Sequence, residues 1–184
     1  MDNKKEQNTL VKVKFDIATT SKERLLIVYG PKNCMKFSRK VRIIQDVFNT
    51  SSPTIGTMHR EKSREFTEGL VMGWLVYLND ILNLNKPMSE DQIEMCAITI
   101  VDEYYSLNFM DLTLIFKRII SGDYGEFYES LSIPKVLSFF KSYYEERLTL
   151  AYEINNQEHL NEKSDQTFNI SKNIRRRWYG TPSR

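Results

Sequence analysis

Histidine and cysteine are scarce, two of each in 184 residues. His59 and His159 lie far apart, neither ends a Glu-x-x-His pair or faces a second His at a helical spacing, and Cys34 and Cys96 form no Cys-x-x-Cys and have no neighbouring His. Zinc centres, helical di-metal sites built on Glu-x-x-His pairs and dithiol redox chemistry all require such groupings. No metal, no cofactor and no redox role is therefore expected, and the cysteines read as ordinary reduced thiols. Seven glycines supply no phosphate loop: Tyr29, Gly30, Pro31, Lys32 lacks the second glycine followed by Lys and Ser or Thr. No serine sits in a Gly-x-Ser-x-Gly context. The acidic doublets Glu90 and Asp91, Asp102 and Glu103, and Glu145 and Glu146 read as a cap and exposed helix faces rather than catalytic carboxylate pairs. No apolar run approaches the roughly 20 residues needed to cross a bilayer. The charged start Met1 to Gln7 has no hydrophobic stretch behind it that would direct export. The expectation is a cytoplasmic, non-enzymatic protein with no membrane partner.

What the sequence does contain is helix signals. Ser89, Glu90, Asp91 and Gln92 write a capping box, in which hydroxyl and amide satisfy orphan backbone donors and the acids meet the positive end of the dipole. Behind it Ile93, Ala97, Ile100, Val101, Tyr104 and Leu107 recur at three- and four-residue steps, the mark of one buried helix face. Asn108 caps a second helix with Asp111 in its first turn and Leu112, Ile115, Phe116 and Ile119 as its stripe. Gly122 ends it in an elbow, Gly122, Asp123, Tyr124, Gly125, whose glycines allow backbone angles closed to other residues; Tyr124, Phe127 and Tyr128 are expected to tuck that elbow onto the bundle. Ser132 and Pro134 open a third helix with Ile133, Leu137, Phe140, Tyr144, Leu148 and Ala151 on one face. Upstream, Ser51, Ser52 and Pro53 break the chain before a helical turn over Thr54 to His59. A long helix follows, with Phe66, Leu70, Trp74, Tyr77, Ile81 and Leu84 along it and Gly69 and Gly73 where another helix could approach. The fold class is mainly α, a helical bundle.

The N-terminal region stays open between two forms. Leu10 to Ile17 alternates apolar and charged residues and Leu25 to Tyr29 is a short apolar run, which together would make a β-hairpin; Ser21 with Lys22, Glu23 and Arg24 could equally open a short helix. The organisation read from the chain is an arm or strand over residues 1–20, a helical domain over 21–154, a polar linker over 155–171 and a basic aromatic tail over 172–184.

A net charge of +2 conceals strong separation: residues 1–64 sum to +8, residues 65–169 to −11 and residues 170–184 to +5. Lys36, Arg39, Lys40 and Arg42 interleave with Phe37, Val41, Ile44 and Phe48, which predicts one helix with an apolar face and positive charge elsewhere. Such a face can track phosphates, or simply remain a solvated surface against the acidic bundle. In the tail, Arg175, Arg176, Arg177 and Trp178 can bind phosphates and stack on bases, or dock in an acidic groove of a protein partner.

Asp111, Phe116, Gly122, Tyr124, Gly125, Tyr128 and the helix opened by Pro134 form a pattern over roughly residues 53–150. It resembles a family of small helical proteins carried by phages and mobile elements of Bacteroidetes-type bacteria, a family that brings no catalytic residues to transfer. In layout alone the chain also resembles the small helical helicase loaders of phages, which join a folded helical domain to a partner-binding tail. The resemblance implies an adaptor or binding protein, an accessory to DNA replication in a mobile element, with a protein partner and nucleic acid as the bound species. The alternative is a structural or host-interaction protein that binds protein partners only.

Overall fold

The computed structural model describes residues 16–125 and 130–179, with side chains to Gln157. Among these residues the chain is helical with no strand. In order it forms α1 (Lys22–Tyr29), α2 (Pro31–Cys34), a 3₁₀ turn (Met35–Arg39), α3 (Ile44–Phe48), α4 (Ile55–Glu61), α5 (Arg64–Leu82), α6 (Glu90–Glu103), α7 (Phe109–Ser121) and α8 (Ile133–Tyr179). The described residues fall into two compact units, one ending at Tyr143 and one beginning at Tyr144. None of the described helices is long and apolar enough to cross a membrane.

Helix α7 is the centre of the first unit. Phe109 and every residue from Asp111 to Phe116 are buried, so this helix is covered on all sides rather than along one stripe. Its N-terminus carries the expected Asn108 cap, which Asp111 closes into a reciprocal box: Asn108 Oδ1 accepts from the N–H groups of Met110 and Asp111 at 2.8 and 2.9 Å, and Asp111 Oδ2 accepts from the Asn108 N–H at 2.8 Å. Asp111 has no exposed surface, and Tyr143 Oη donates to its Oδ1 at 2.6 Å, tying α7 to α8. Around this helix runs a row of aromatic contacts, Trp74 to Phe116 at 4.9 Å, Phe116 to Phe140 at 6.4 Å and Phe140 to Tyr104 at 5.5 Å, which joins α5, α7 and α8 to the end of α6.

Helices α5 and α6 form an antiparallel pair. Their turn is fixed by Asn79, whose side chain both donates to the Met88 carbonyl at 2.9 Å and accepts from the Met88 N–H at 3.2 Å. The Ser89 box forms as expected, with Gln92 N–H on Ser89 Oγ at 3.3 Å and Ser89 N–H on Gln92 Oε1 at 3.0 Å. All six apolar residues expected on the α6 side, Ile93, Ala97, Ile100, Val101, Tyr104 and Leu107, are buried. At the elbow Gly122 and Gly125 both have positive φ, 79° and 95°, and the Tyr124 ring stacks on Phe139 at 4.9 Å. Phe127 and Tyr128 lie outside the described residues.

The structure departs from the sequence-based expectations at several points. Of the two forms left open for the N-terminal region, the short helix opened by Ser21 is the one present: Leu25 to Tyr29 belongs to α1, capped by Ser21 Oγ on the Arg24 N–H, while residues 10–15 lie outside the described residues. The single helix expected across Lys36 to Phe48 is broken between Arg39 and Ile44, for a reason given below. The inward faces of α5 and α8 are rotated by about one residue: Thr67, Val71, Leu75 and Leu78 are buried with Leu70 and Trp74, while Ile81 is exposed. In α8 the first unit buries Val136, Phe139, Phe140 and Tyr143, leaving Leu137 half-buried. Helix α5 stops at Leu82, before Leu84, because Asn83 turns into the left-handed region at φ 45°. Finally, among the described residues no atom packs directly against Gly69 or Gly73, since a Cβ built on either would meet nothing within 4 Å. The backbone of residues 155–171, read as a linker, is helical within α8; the stretch contains no glycine or proline to stop it.

Candidate functional site

Two features meet on the face formed by α1, α2 and the 3₁₀ turn. Neighbours on a helix point 100° apart, so a helix covered on one side only, as α1 is, cannot bury the whole run Leu25, Leu26, Ile27, Val28. Leu25 and Tyr29 turn inward, while Leu26 and Ile27 are left 45% and 71% exposed. Trp74 Nε1 donates to the Tyr29 carbonyl at 3.0 Å and so holds the end of α1 on α5. Gly30 is required at the next step, because a Cβ there would lie 2.3 Å from the Leu26 carbonyl oxygen. This close approach explains Gly30, and Pro31 follows as the first residue of α2, where its missing N–H costs nothing. Asn33 Nδ2 then donates to the Val28 carbonyl at 3.0 Å, fixing α2 against α1.

The result is a groove of about 560 Å³ between α1–α2 and α5. Leu26 and Ile27 form one wall, Val76 and Tyr77 the other, the bare backbone of Gly73 opens between them, and Lys32, Lys36 and Asp80 stand at the edge. A more polar depression of about 540 Å³ adjoins it, sharing Lys32 and Lys36 and adding Met35, Ser38 and Arg39.

The basic ridge follows from the same local chemistry. In a 3₁₀ turn residues three apart eclipse one another, so Lys36 and Arg39 stand in line on the surface. Lys117 Nζ, reaching out from α7, donates to the carbonyls of Ser38 at 2.9 Å and Val41 at 3.3 Å. Asp46 Oδ2 accepts from the N–H groups of Arg42 at 2.7 Å and Ile43 at 3.2 Å. Those two N–H bonds, first from Arg42 and then from Ile43, hold the Asp46 carboxyl below its ordinary range, with the Arg42 and Lys117 charges adding to the effect. Together these bonds satisfy backbone groups that a continuous helix would have paired internally, which is why the expected helix breaks here. Val41, Ile44 and Val47 anchor the segment in the core, and Lys36, Arg39, Lys40 and Arg42 all remain exposed. Among the described residues no salt bridge engages Lys32, Lys36, Arg39 or Lys40.

The structure thus brings Lys36, Arg39, Lys40 and Arg42 together on one short segment. Arg175, Arg176, Arg177 and Trp178 have helical backbone within α8, and their side chains lie outside the described residues. Sequence reasoning passed over Lys32, Lys117 and the exposed pair Leu26 and Ile27. The signal for the pair was the unbroken apolar run over so short a helix. Both thiols are buried, and burial pushes Cys34 and Cys96 up to about 12. Among the described residues no group of three or more His, Cys, Asp or Glu side chains is placed to hold a metal ion. Compared with family models, curated proteins and solved structures, the chain matches none.

Proposed function

We propose that the chain is a non-enzymatic binding protein, an adaptor whose basic ridge engages the phosphate backbone of nucleic acid. The observation that carries this reading is the ridge itself: Lys36, Arg39, Lys40 and Arg42 are held within seven residues on a turn braced by Lys117 and Asp46. Clustered like charges repel one another, and a polyanion relieves that repulsion while releasing its own counterions. Arg175, Arg176, Arg177 and Trp178 are assigned, on sequence grounds, as an additional arm that contacts phosphates and stacks on unpaired bases. The setting, DNA metabolism of a phage or mobile element, rests on the sequence resemblance over residues 53–150. The test is fluorescence anisotropy of a labelled single-stranded oligonucleotide with the full chain, a deletion of residues 170–184 and a variant with Ala at all four ridge positions. Both changes are expected to weaken binding; no binding by the full chain at low salt would reject the reading.

The apolar groove beside the ridge favours a second reading, a structural or host-interaction protein that binds protein partners only. A chain that binds no oligonucleotide yet captures a helical peptide would move the assignment there.

A further inference from the structure

Soluble chains do not ordinarily leave Leu26, Ile27 and Val76 exposed side by side around a concave surface. The form of the groove restricts what can fill it. Among the described residues there is no strand, so an extended segment would find no sheet edge to pair with. The walls are instead helical, and α5 presents bare backbone at Gly73 in the groove and at Gly69 one turn before it, with no described atom within 4 Å of a Cβ built on either. Small residues at that spacing let another helix come close enough for its side chains to pack against Leu26, Ile27 and Val76. The charge at the edge sets the polarity of the visitor. Lys32 and Lys36 stand on the α2 side and continue into Arg39, against the single carboxylate Asp80 on α5.

We infer that this groove is a docking site for an amphipathic helix of a partner protein, with an apolar stripe seated between α1 and α5 and carboxylates along the edge that meets Lys32 and Lys36. From Gly73 to Asp80 the floor spans about 10 Å at 1.5 Å per residue, so about two turns of the partner fill it. The site shares Lys36 with the phosphate contacts proposed above, whereas Leu26, Ile27, Gly73 and Val76 belong to the groove alone, and it gives the adaptor a second bound species.

The probe is a fluorescein-labelled, hydrocarbon-stapled helical peptide with leucines at i, i+3, i+4 and i+7 flanked by glutamates. It is compared with the same peptide carrying lysines for the glutamates and with a scrambled sequence. Titrated with the full chain, the glutamate peptide is expected to bind more tightly than either control. Gly73→Leu fills the floor without disturbing the fold, since its Cβ meets no neighbour, and unchanged circular dichroism and melting verify this. It should weaken the glutamate peptide by about tenfold or more, the scale of losing a central packed contact. Lys32→Glu should narrow or reverse the preference for glutamate over lysine. Equal binding of all three peptides, no binding of any, or binding untouched by Gly73→Leu would overturn the inference. Sedimentation showing self-association that Gly73→Leu abolishes would make a second copy the occupant and equally overturn it. Oligonucleotide binding is read in parallel: it should be insensitive to Gly73→Leu, and a matching loss there would make nucleic acid the occupant.

Discussion

Tyr143→Phe isolates a single hydroxyl at the joint between α7 and α8. Phenylalanine keeps the ring, and with it the cation–π contact to Arg118 at 5.5 Å, so the change removes only the donor that reaches Asp111 Oδ1 at 2.6 Å. Asp111 and Tyr143 have no exposed surface, so water cannot replace the lost bond without opening the core. Hydrogen bonds to charged groups contribute about 1.5–3 kcal/mol, and a short buried one belongs in that range. At roughly 2–4 °C per kcal/mol for a chain of this size, the melting temperature should fall by about 3–12 °C. Urea denaturation followed by circular dichroism gives the free energy directly, provided the slope with denaturant is unchanged. Tyr105→Phe serves as the control, because that ring is 61% exposed and should respond by no more than about 0.5 kcal/mol. In a double-mutant cycle with Asp111→Asn, the coupling should recover much of the Tyr143 cost. A Tyr143→Phe protein as stable as the parent would refute the assignment of this bond as a joint of the fold.

Two further outcomes are expected. Gly122→Val and Gly125→Val should each lower stability by about 1 kcal/mol or more, because both backbones have positive φ, which a β-branched residue resists; thermal melts of the two variants test this. Cys34 and Cys96, with thiols pushed up to about 12 by burial, should react with a disulfide reagent near neutral pH only as fast as the protein opens, and at full rate in denaturant. Rapid labelling of the native protein would contradict their burial.

Much of the fold was legible because local signals agreed with one another. The Ser89 capping box, the Asn108 cap, the α6 stripe and the two elbow glycines are each written within a few residues, and each forms as the sequence implies. The misreadings share a cause: long-range packing selects among faces that the sequence leaves nearly equivalent. In α5 the choice between Tyr77 and Leu78 depends on where Trp74 meets Phe116 and the Tyr29 carbonyl. The break after Arg39 depends on Lys117, distant in sequence, reaching the Ser38 and Val41 carbonyls. The charge of the ridge was visible in the sequence, whereas the groove was not. Gly69 and Gly73 marked a place for a helix to approach, but only the fold shows that, among the described residues, nothing packs directly against them.

The salt dependence of oligonucleotide binding tests the central claim most directly. If Lys36, Arg39, Lys40 and Arg42 each neutralise one phosphate of a single strand, replacing all four with Ala should reduce the slope of log K against log salt by about 3, at roughly 0.7 per contact. Between 50 and 200 mM salt, those four contacts alone then correspond to roughly a 50-fold change in affinity. The account predicts that the full chain shows this steep dependence and that the four-Ala variant loses that part of it while keeping the same melting temperature. Parallel lines for the two proteins, or no binding by the full chain at low salt, would contradict it.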